Sequence, residues 1–104
     1  MIVKHTLTIS AICPVDGRRD WYTCTVTLDR LIPCEQLVAD AAKYAGVEIY
    51  QEGLTKELSE QWQATVRTTG THVRRWWQAI GAVGTEVIAF PKTRVAVNPT
   101  GEHA

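Results

Sequence analysis

The sequence lacks the features of a membrane protein, a disulfide-bonded protein or a strongly charged protein. Its 104 residues contain no apolar run near the ~20 residues that cross a bilayer, and its first residues lack the layout of a signal peptide. Eleven basic and eleven acidic residues cancel, so any contact with nucleic acid must be local. We therefore expect a single domain, residues 1–104, located in the cytoplasm.

The sequence has only three cysteines, and this odd number argues against a disulfide framework. It fits a reducing compartment in which one thiol is reactive. The three histidines (His5, His72 and His103) form no spaced cluster with the cysteines, which disfavours a zinc site. We expect no metal ion, and we interpret His72, at the end of a predicted strand, as structural.

Alternation of apolar and polar residues predicts four strands, at 5–12, 21–28, 64–73 and 85–90. A helical period predicts two helices between the second and third strands, the first from Pro33 to Gly46. The second helix follows a connector at 47–53. A long connection holding residues 74–77, 81 and 84 is expected between the last two strands, and a final apolar run at 94–97 precedes a polar tail from about residue 98.

The order ββααββ predicts an α+β fold with two helices on one face of an antiparallel four-stranded sheet. Such a small domain has a thin core, and an open sheet has two unpaired edges. Pairing of strand edges between subunits would satisfy the unpaired edges and add to the buried surface of the small domain. We therefore expect a ring-forming homo-oligomer.

The stretch from Cys13 to Asp20, Cys-Pro-Val-Asp-Gly-Arg-Arg-Asp, joins the first two predicted strands. Pro14 and Gly17 are turn residues, so a hairpin turn is expected that displays the Cys13 thiol rather than packing it. Arg18 and Arg19 would supply cations that favour a thiolate, and Asp20 would supply a carboxylate that moves protons.

This motif, followed by an aromatic residue on a two-strand, two-helix, two-strand plan, resembles the tunnelling-fold nitrile reductases of the queuosine pathway (QueF) and their shorter QueF-like relatives. The resemblance covers roughly residues 5–73 and includes Glu52, where the family carries a His-Glu pair before its second helix. It implies the tunnelling fold (T-fold) and ring assembly, with active sites between subunits.

The resemblance also implies roles for particular residues. Cys13 would be the nucleophile that forms a thioimide with the nitrile of 7-cyano-7-deazaguanine (preQ0), and Asp20 would be the catalytic acid/base. Glu52 and Gln51 would bind the substrate, with the Glu52 carboxylate accepting paired N–H donors of the base. The alternative is that Cys13 is a small turn residue without a reactive thiol.

Two departures from the reductase pattern bear on the second reactant. The lysine-bearing NADPH motif of the first helix falls on Glu35–Asp40, which contains no lysine, and Asp40 would repel a dinucleotide phosphate. Gln51 replaces the histidine of the family. We therefore expect a QueF-like amidinotransferase without a cofactor, in which ammonia converts the thioimide to an amidine on a base in tRNA or DNA. NADPH-dependent reduction to 7-aminomethyl-7-deazaguanine is the alternative.

Other interpretations stay open. The stretch Arg74, Arg75, Trp76 and Trp77 is suited to phosphates and stacked bases, and equally to a subunit contact. Cys24 and Trp62 are expected in the core, and Cys34 has no obvious partner. Two alternatives belong to another functional class. The protein could be a ring protein that binds a purine or pterin through Glu52 without catalysis, or it could be a structural ring subunit without a ligand.

Overall fold

The computed structural model describes residues 1–76 and 79–92. The elements, in chain order, are β1 (Val3–Ile12), β2 (Arg19–Leu28), α1 (Cys34–Ala42), α2 (Gln51–Trp62), β3 (Thr65–Trp76) and β4 (Ala79–Ala89). The predicted α+β class and the order ββααββ are confirmed. Neither described helix is long and apolar enough to cross a membrane. The predicted apolar run at 94–97 and the polar tail lie outside the described residues.

The sheet is antiparallel throughout, in the order β1-β2-β3-β4. β1 and β2 pair along their whole length. β2 pairs with β3 only through Thr23–Thr27, whereas β3 and β4 pair from Val66 to Trp76. Within the described residues, the far halves of β3 and β4 therefore form a two-stranded ribbon, residues 70–76 and 79–85, beyond the part of β2 that pairs with β3.

The predicted long connection between the last two strands is wrong. Arg74 and Arg75 lie in β3, and both glycines lie in β4, where Gly81 pairs with Arg74 and Gly84 with Thr71. Glycine is generally depleted in strands. Here the ladder along the ribbon is formed by backbone groups, which glycine supplies as well as any residue.

The predicted bounds of the helices are also wrong by a few residues. α1 ends at Ala42 rather than at Gly46, because the following amides bond carbonyls three residues back, as in the Tyr44 N–H to Ala41 O bond of 3.1 Å. α2 begins at Gln51, so the connector before it is shorter than expected. This early start places Gln51 and Glu52 in the first turn of the helix.

Both helices pack on one face of the sheet. Buried side chains of α1 and α2 share one cluster with strand residues at alternating positions: Ile9, Ala11, Tyr22, Cys24, Val26, Leu28, Leu37, Ala41, Leu54, Leu58, Trp62, Ala64 and Val66. The predicted core positions of Cys24 and Trp62 are thereby confirmed. Burial raises the pKa of the Cys24 thiol to about 12, so this cysteine stays protonated.

A buried carboxylate joins the two helices. Asp40 of α1 is 7% exposed, and its Oδ2 accepts a hydrogen bond from Trp62 Nε1 at 2.9 Å, while Oδ1 accepts one from Lys43 Nζ at 3.3 Å. The Trp62 indole, assisted by Lys43, holds the pKa of Asp40 below its usual 3.8. Asp40, which was expected to repel a dinucleotide phosphate, has its side chain directed into the fold.

Replacing Asp40 by alanine should lower the free energy of unfolding by about 2 kcal/mol, because the Trp62 N–H is then buried without an acceptor. The folded-state pKa of Asp40 is lowered. Its charged form thus stabilises the fold fully above about pH 4, and the contribution is lost as the pH falls through the lowered pKa.

Urea unfolding of both proteins at about pH 7 and about pH 3 measures the effect, and the difference between them should shrink at the lower pH. Equal free energies of unfolding at neutral pH would show that the Asp40–Trp62 bond does not stabilise the fold.

Candidate active site

The β1–β2 connection forms a tight loop that fixes the position of Cys13. The Cys13 N–H donates to the Arg18 carbonyl at 2.7 Å, and the Gly17 N–H donates to the Cys13 carbonyl at 2.9 Å. Gly17 has a φ of +72°, a left-handed conformation that favours glycine, as its predicted turn role requires. The Arg18 N–H, the main cause, lowers the pKa of Asp16 by donating to its carboxylate at 2.9 Å.

The expectation that this turn displays the Cys13 thiol is wrong, because the side chain is only 3% exposed. Alternation along β1 continues past Ile9 and Ala11, so Cys13 lies on the face of the sheet that the helices cover. The connector before α2 also runs beside the end of β1, with the Ile12 N–H bonded to the Val47 carbonyl and the Ile49 N–H to the Ile12 carbonyl.

The cation beside Cys13 is Arg74 rather than the expected Arg18 or Arg19. Arg74 Nη2 lies 3.6 Å from Cys13 Sγ, and Arg74 Nη1 lies 3.9 Å from Asp16 Oδ2. Arg19 instead donates to Ser10 Oγ at 3.0 Å and to the Ala45 carbonyl, and Arg18 is exposed. Arg74 thus places a positive charge beside the Cys13 sulfur.

A pocket of about 240 Å³ brings the candidate residues together. It is formed by the β1–β2 loop, the start of α2 and the helix-facing sides of β2, β3 and β4. Its lining residues are Cys13, Pro14, Asp20, Tyr22, Ile49, Tyr50, Gln51, Glu52, His72, Arg74 and Thr85. Cys13, Asp20, Gln51 and Glu52, which were predicted from the sequence, thus share one pocket.

The Asp20 carboxylate lies near two other side chains, Tyr22 from the same strand and His72 from β3. Tyr22 Oη donates to Asp20 Oδ2 at 3.2 Å, and His72 Nδ1 lies 3.8 Å from the same oxygen. Burial, and then the Asp20 carboxylate, raise the pKa of Tyr22, so its hydroxyl stays a donor. The tyrosine ring needs Gly70 opposite it, because a Cβ there would lie 2.5 Å from the ring.

The first turn of α2 holds two residues with different surroundings. Gln51 is 4% exposed, and its Nε2 lies 3.2 Å from the Thr68 carbonyl and 3.1 Å from the Thr85 carbonyl. Its Oε1 lies 2.8 Å from His72 Nε2. Glu52, in contrast, is exposed at the pocket, where a carboxylate can meet an entering ligand. The role of Gln51 as a direct substrate contact stays a prediction.

His72 is a pocket residue that the sequence interpretation took as structural. It lies in β3 two positions before Arg74, on the same side of the strand, and the pocket includes both. The signal that could have found it is the period of two, which places 68, 70, 72 and 74 on the face toward the helices. Of these positions only Arg74 lies beyond the predicted strand, which ended at residue 73.

The remaining predicted residues lie apart from this pocket. Arg75 is exposed and alternates with Arg74, so it lies on the opposite face of the ribbon. Trp77 lies outside the described residues, and only the backbone of Trp76 is described. Cys34 is exposed in α1. Within residues 1–76 and 79–92, no three His, Cys, Asp or Glu side chains are grouped as metal ligands would be.

The fold and the pocket define a small α+β protein in which a buried cysteine and a partly buried carboxylate lie at the end of a sheet, beside the start of a helix. Among solved structures, the chain is similar to the crystal structure of the archaeosine synthase QueF-Like in the apo form. The TM-score is 0.59 at 19% sequence identity, over 82% of this chain and 91% of that chain. No protein-family model and no curated protein sequence matches the chain. The likeness to the solved structure shows the fold that the two proteins share.

Replacing Arg74 by glutamine should slow alkylation of Cys13 by iodoacetamide about tenfold, because the positive charge beside the reacting sulfur is lost. Peptide mass spectrometry follows the three cysteines separately. Exposed Cys34 should react equally in both proteins, and buried Cys24 should stay unmodified.

The matched control is Arg75→Gln, which removes the neighbouring charge on the other face of β3 and should leave Cys13 unaffected. If Arg74→Gln and wild type were alkylated at Cys13 at the same rate, the assigned role of this cation would be wrong.

Proposed function

We propose that this protein is an enzyme of 7-deazaguanine modification that converts the nitrile of 7-cyano-7-deazaguanine, on a base within nucleic acid, to an amidine with ammonia. The observation that supports it best is the shared pocket, in which a buried thiol has a guanidinium at 3.6 Å and an acid/base carboxylate in the same lining. The fold shared with an archaeosine synthase supports the substrate class.

The first step uses Cys13 and Asp20. The thiolate sulfur adds to the nitrile carbon, a carbon–sulfur bond forms, and one π bond of the nitrile breaks. The nitrogen takes a proton from the Asp20 carboxyl group, which leaves a neutral thioimide and a carboxylate. Arg74 Nη2, 3.6 Å from the sulfur, places a positive charge beside the nucleophile.

The second step consumes ammonia and restores the thiol site. Ammonia adds to the thioimide carbon, and the Asp20 carboxylate passes a proton from the incoming nitrogen to the imide nitrogen. The tetrahedral intermediate expels the Cys13 thiolate and yields an amidinium. No electrons are transferred, and Asp20 recovers its proton from solvent after the cycle.

Glu52 is the residue that holds the base in this proposal. Its carboxylate is exposed at the pocket, and two oxygens match the paired N–H donors of a guanine-like edge. Gln51 contributes by fixing the first turn of α2 to β3 and β4 through its amide. Glu52 therefore reaches the pocket from the first turn of a helix whose position is fixed, and not from a loop.

The surface of α1 supports ammonia rather than a dinucleotide as second reactant. An NADPH site needs cations for its phosphates, and the segment Glu35–Asp40 offers none. Asp40 is turned inward to Trp62, and the nearby Lys43 is paired with it. We propose that the enzyme works without a cofactor.

The ribbon of β3 and β4 is the proposed contact with nucleic acid. Arg75 is exposed on it, and the Trp76–Trp77 pair follows directly in sequence. Arginine and tryptophan suit phosphates and stacked bases, respectively. Arg74, which the sequence grouped with them, is assigned to Cys13 instead.

We also propose a homo-oligomeric ring. The β3 edge of the ribbon extends past the pairing with β2, and Val73 and Ile80 on the ribbon are 57% and 63% exposed. A strand edge with apolar side chains is completed by another strand. Light scattering should give a multiple of the chain mass, and a monomer at micromolar concentration would rule the ring out.

The function is tested by incubating the protein with 7-cyano-7-deazaguanine, both free and in an oligonucleotide, and offering either ammonium or NADPH. We expect an amidine on the oligonucleotide with ammonium and no oxidation of NADPH. Mass spectrometry identifies the product, and absorbance follows NADPH.

Two variants separate the assigned roles. Glu52→Ala should raise KM, because the base loses its acceptor, while Asp20→Asn should lower kcat, because an amide cannot exchange protons. Consumption of NADPH with an aminomethyl product, and no product from ammonium, would assign the reductase reaction instead.

A further inference from the structure

A buried nitrogen atom in the pocket has no assigned role in the steps above. His72 Nδ1 is buried and lacks a hydrogen-bond partner among the described residues. Asp20 Oδ2 lies 3.8 Å from this nitrogen. An unpaired polar atom in a buried position is costly, and at a site of proton chemistry it calls for an explanation.

The protonation of the imidazole is fixed from its other side. Gln51 Nε2 faces the Thr68 and Thr85 carbonyls, which can only accept hydrogen bonds, so this atom must be the amide nitrogen. Gln51 Oε1 therefore faces His72 Nε2 at 2.8 Å and requires a donor there. The neutral ring carries its hydrogen on Nε2, and the lone pair of Nδ1 is directed to the side of Asp20.

We propose that His72 is the proton reservoir of Asp20, with Gln51 holding the imidazole in the Nε2–H tautomer. This inference rests on the proposed function and assigns to β3 a residue that acts on the substrate through Asp20. His72 is thus a positioning and proton-supplying residue, whereas Asp20 contacts the reacting nitrogen.

The proton balance of the cycle shows what the reservoir does. When the thioimide forms, Asp20 passes to the nitrile nitrogen the one proton that it shares with His72 Nδ1, which leaves a neutral imidazole and the Asp20 carboxylate that the second step uses. Histidine is the side chain that most readily gains and loses a proton near neutral pH. The neutral imidazole then regains its proton from solvent, so each turnover neither creates nor loses a charge on the protein.

Other ionisable groups in the pocket act on the same pair and belong to its pH dependence. Tyr22 donates to Asp20 and stays protonated, since burial raises its pKa. Around the imidazole, the pocket-lining ionisable side chains are Asp20 and Tyr22 from β2, Tyr50 and Glu52 from the start of α2, Arg74 from β3 and Cys13 from the β1–β2 loop. β4 contributes Thr85, which does not titrate in this range.

The test compares His72→Gln with His5→Gln in the full chain. A glutamine at 72 can still donate to Gln51 but cannot carry the proton on Nδ1. His5 is a matched control because its Nε2 is also buried without a partner, while it lies outside the pocket lining. The readout is the rate of adduct formation on Cys13 with 7-cyano-7-deazaguanine as a function of pH.

We expect His72→Gln to lower this rate on the order of 10–100-fold with unchanged substrate affinity, and His5→Gln to leave it unaltered. The fall of the rate on the alkaline side should move to lower pH in His72→Gln, because Asp20 must then keep its proton alone. An unchanged rate and pH profile would overturn the reservoir and leave the proposed function standing. No adduct with the wild-type protein would overturn both.

Nitrogen-resolved NMR of the wild-type protein provides a second readout that does not depend on turnover or on the folding of a variant. Neutral His72 should appear as the Nε2–H tautomer, and acidification should add a proton at Nδ1. Observation of the Nδ1–H tautomer in the neutral ring would overturn the proposal, whatever the activity measurements show.

Discussion

The hydrogen bonds of the Gln51 side chain are the constraint on which the pocket depends. One amide connects the first turn of α2 to the Thr68 carbonyl of β3, to the Thr85 carbonyl of β4 and to the His72 ring. Because the amide is buried, each of these bonds forms in a low dielectric, and loss of one leaves a polar atom unsatisfied. The start of α2 is thereby fixed over the end of the sheet, and Glu52 and His72 are placed relative to Cys13.

Much of this fold could be predicted from the sequence because its signals are local. Alternation from residue 5 to 12 marks β1, Gly17 marks the turn, and the inward phase of β2 places Cys24 in the core. The ribbon could not be predicted in the same way, because glycine at 81 and 84 disrupts the side-chain pattern without disrupting the backbone ladder.

The candidate site was harder to predict because its parts come from distant segments. Cys13 was recognised by its motif, but its burial depends on the α2 connector and on Arg74, which is 61 positions away in sequence. Arg18 and Arg19 were predicted to supply the cation because they are close to Cys13 in sequence. Nothing in the local sequence indicates on which side of the hairpin each side chain lies. Arg74 lies near Cys13 because β3 continues beyond its pairing with β2, toward the β1–β2 loop.

The charged residue Asp40 of α1 has a structural role in the packing of the helices. The Trp62 indole lowers the pKa of Asp40, and this side chain is directed inward, where it joins α1 to α2. The pocket side of the sheet, in contrast, collects a thiol, a carboxylate, an imidazole and a guanidinium. This division fits a reaction that moves protons and forms a covalent bond to sulfur without a redox partner.

The most direct measurement of the central claim is peptide mass spectrometry of the wild-type protein after incubation with 7-cyano-7-deazaguanine in the absence of ammonia. The account predicts one covalent adduct, carried by Cys13 and absent from Cys24, from exposed Cys34 and from a Cys13→Ala variant that keeps the wild-type fold by circular dichroism. An adduct on Cys34, or binding of the base without any adduct on Cys13, would contradict it.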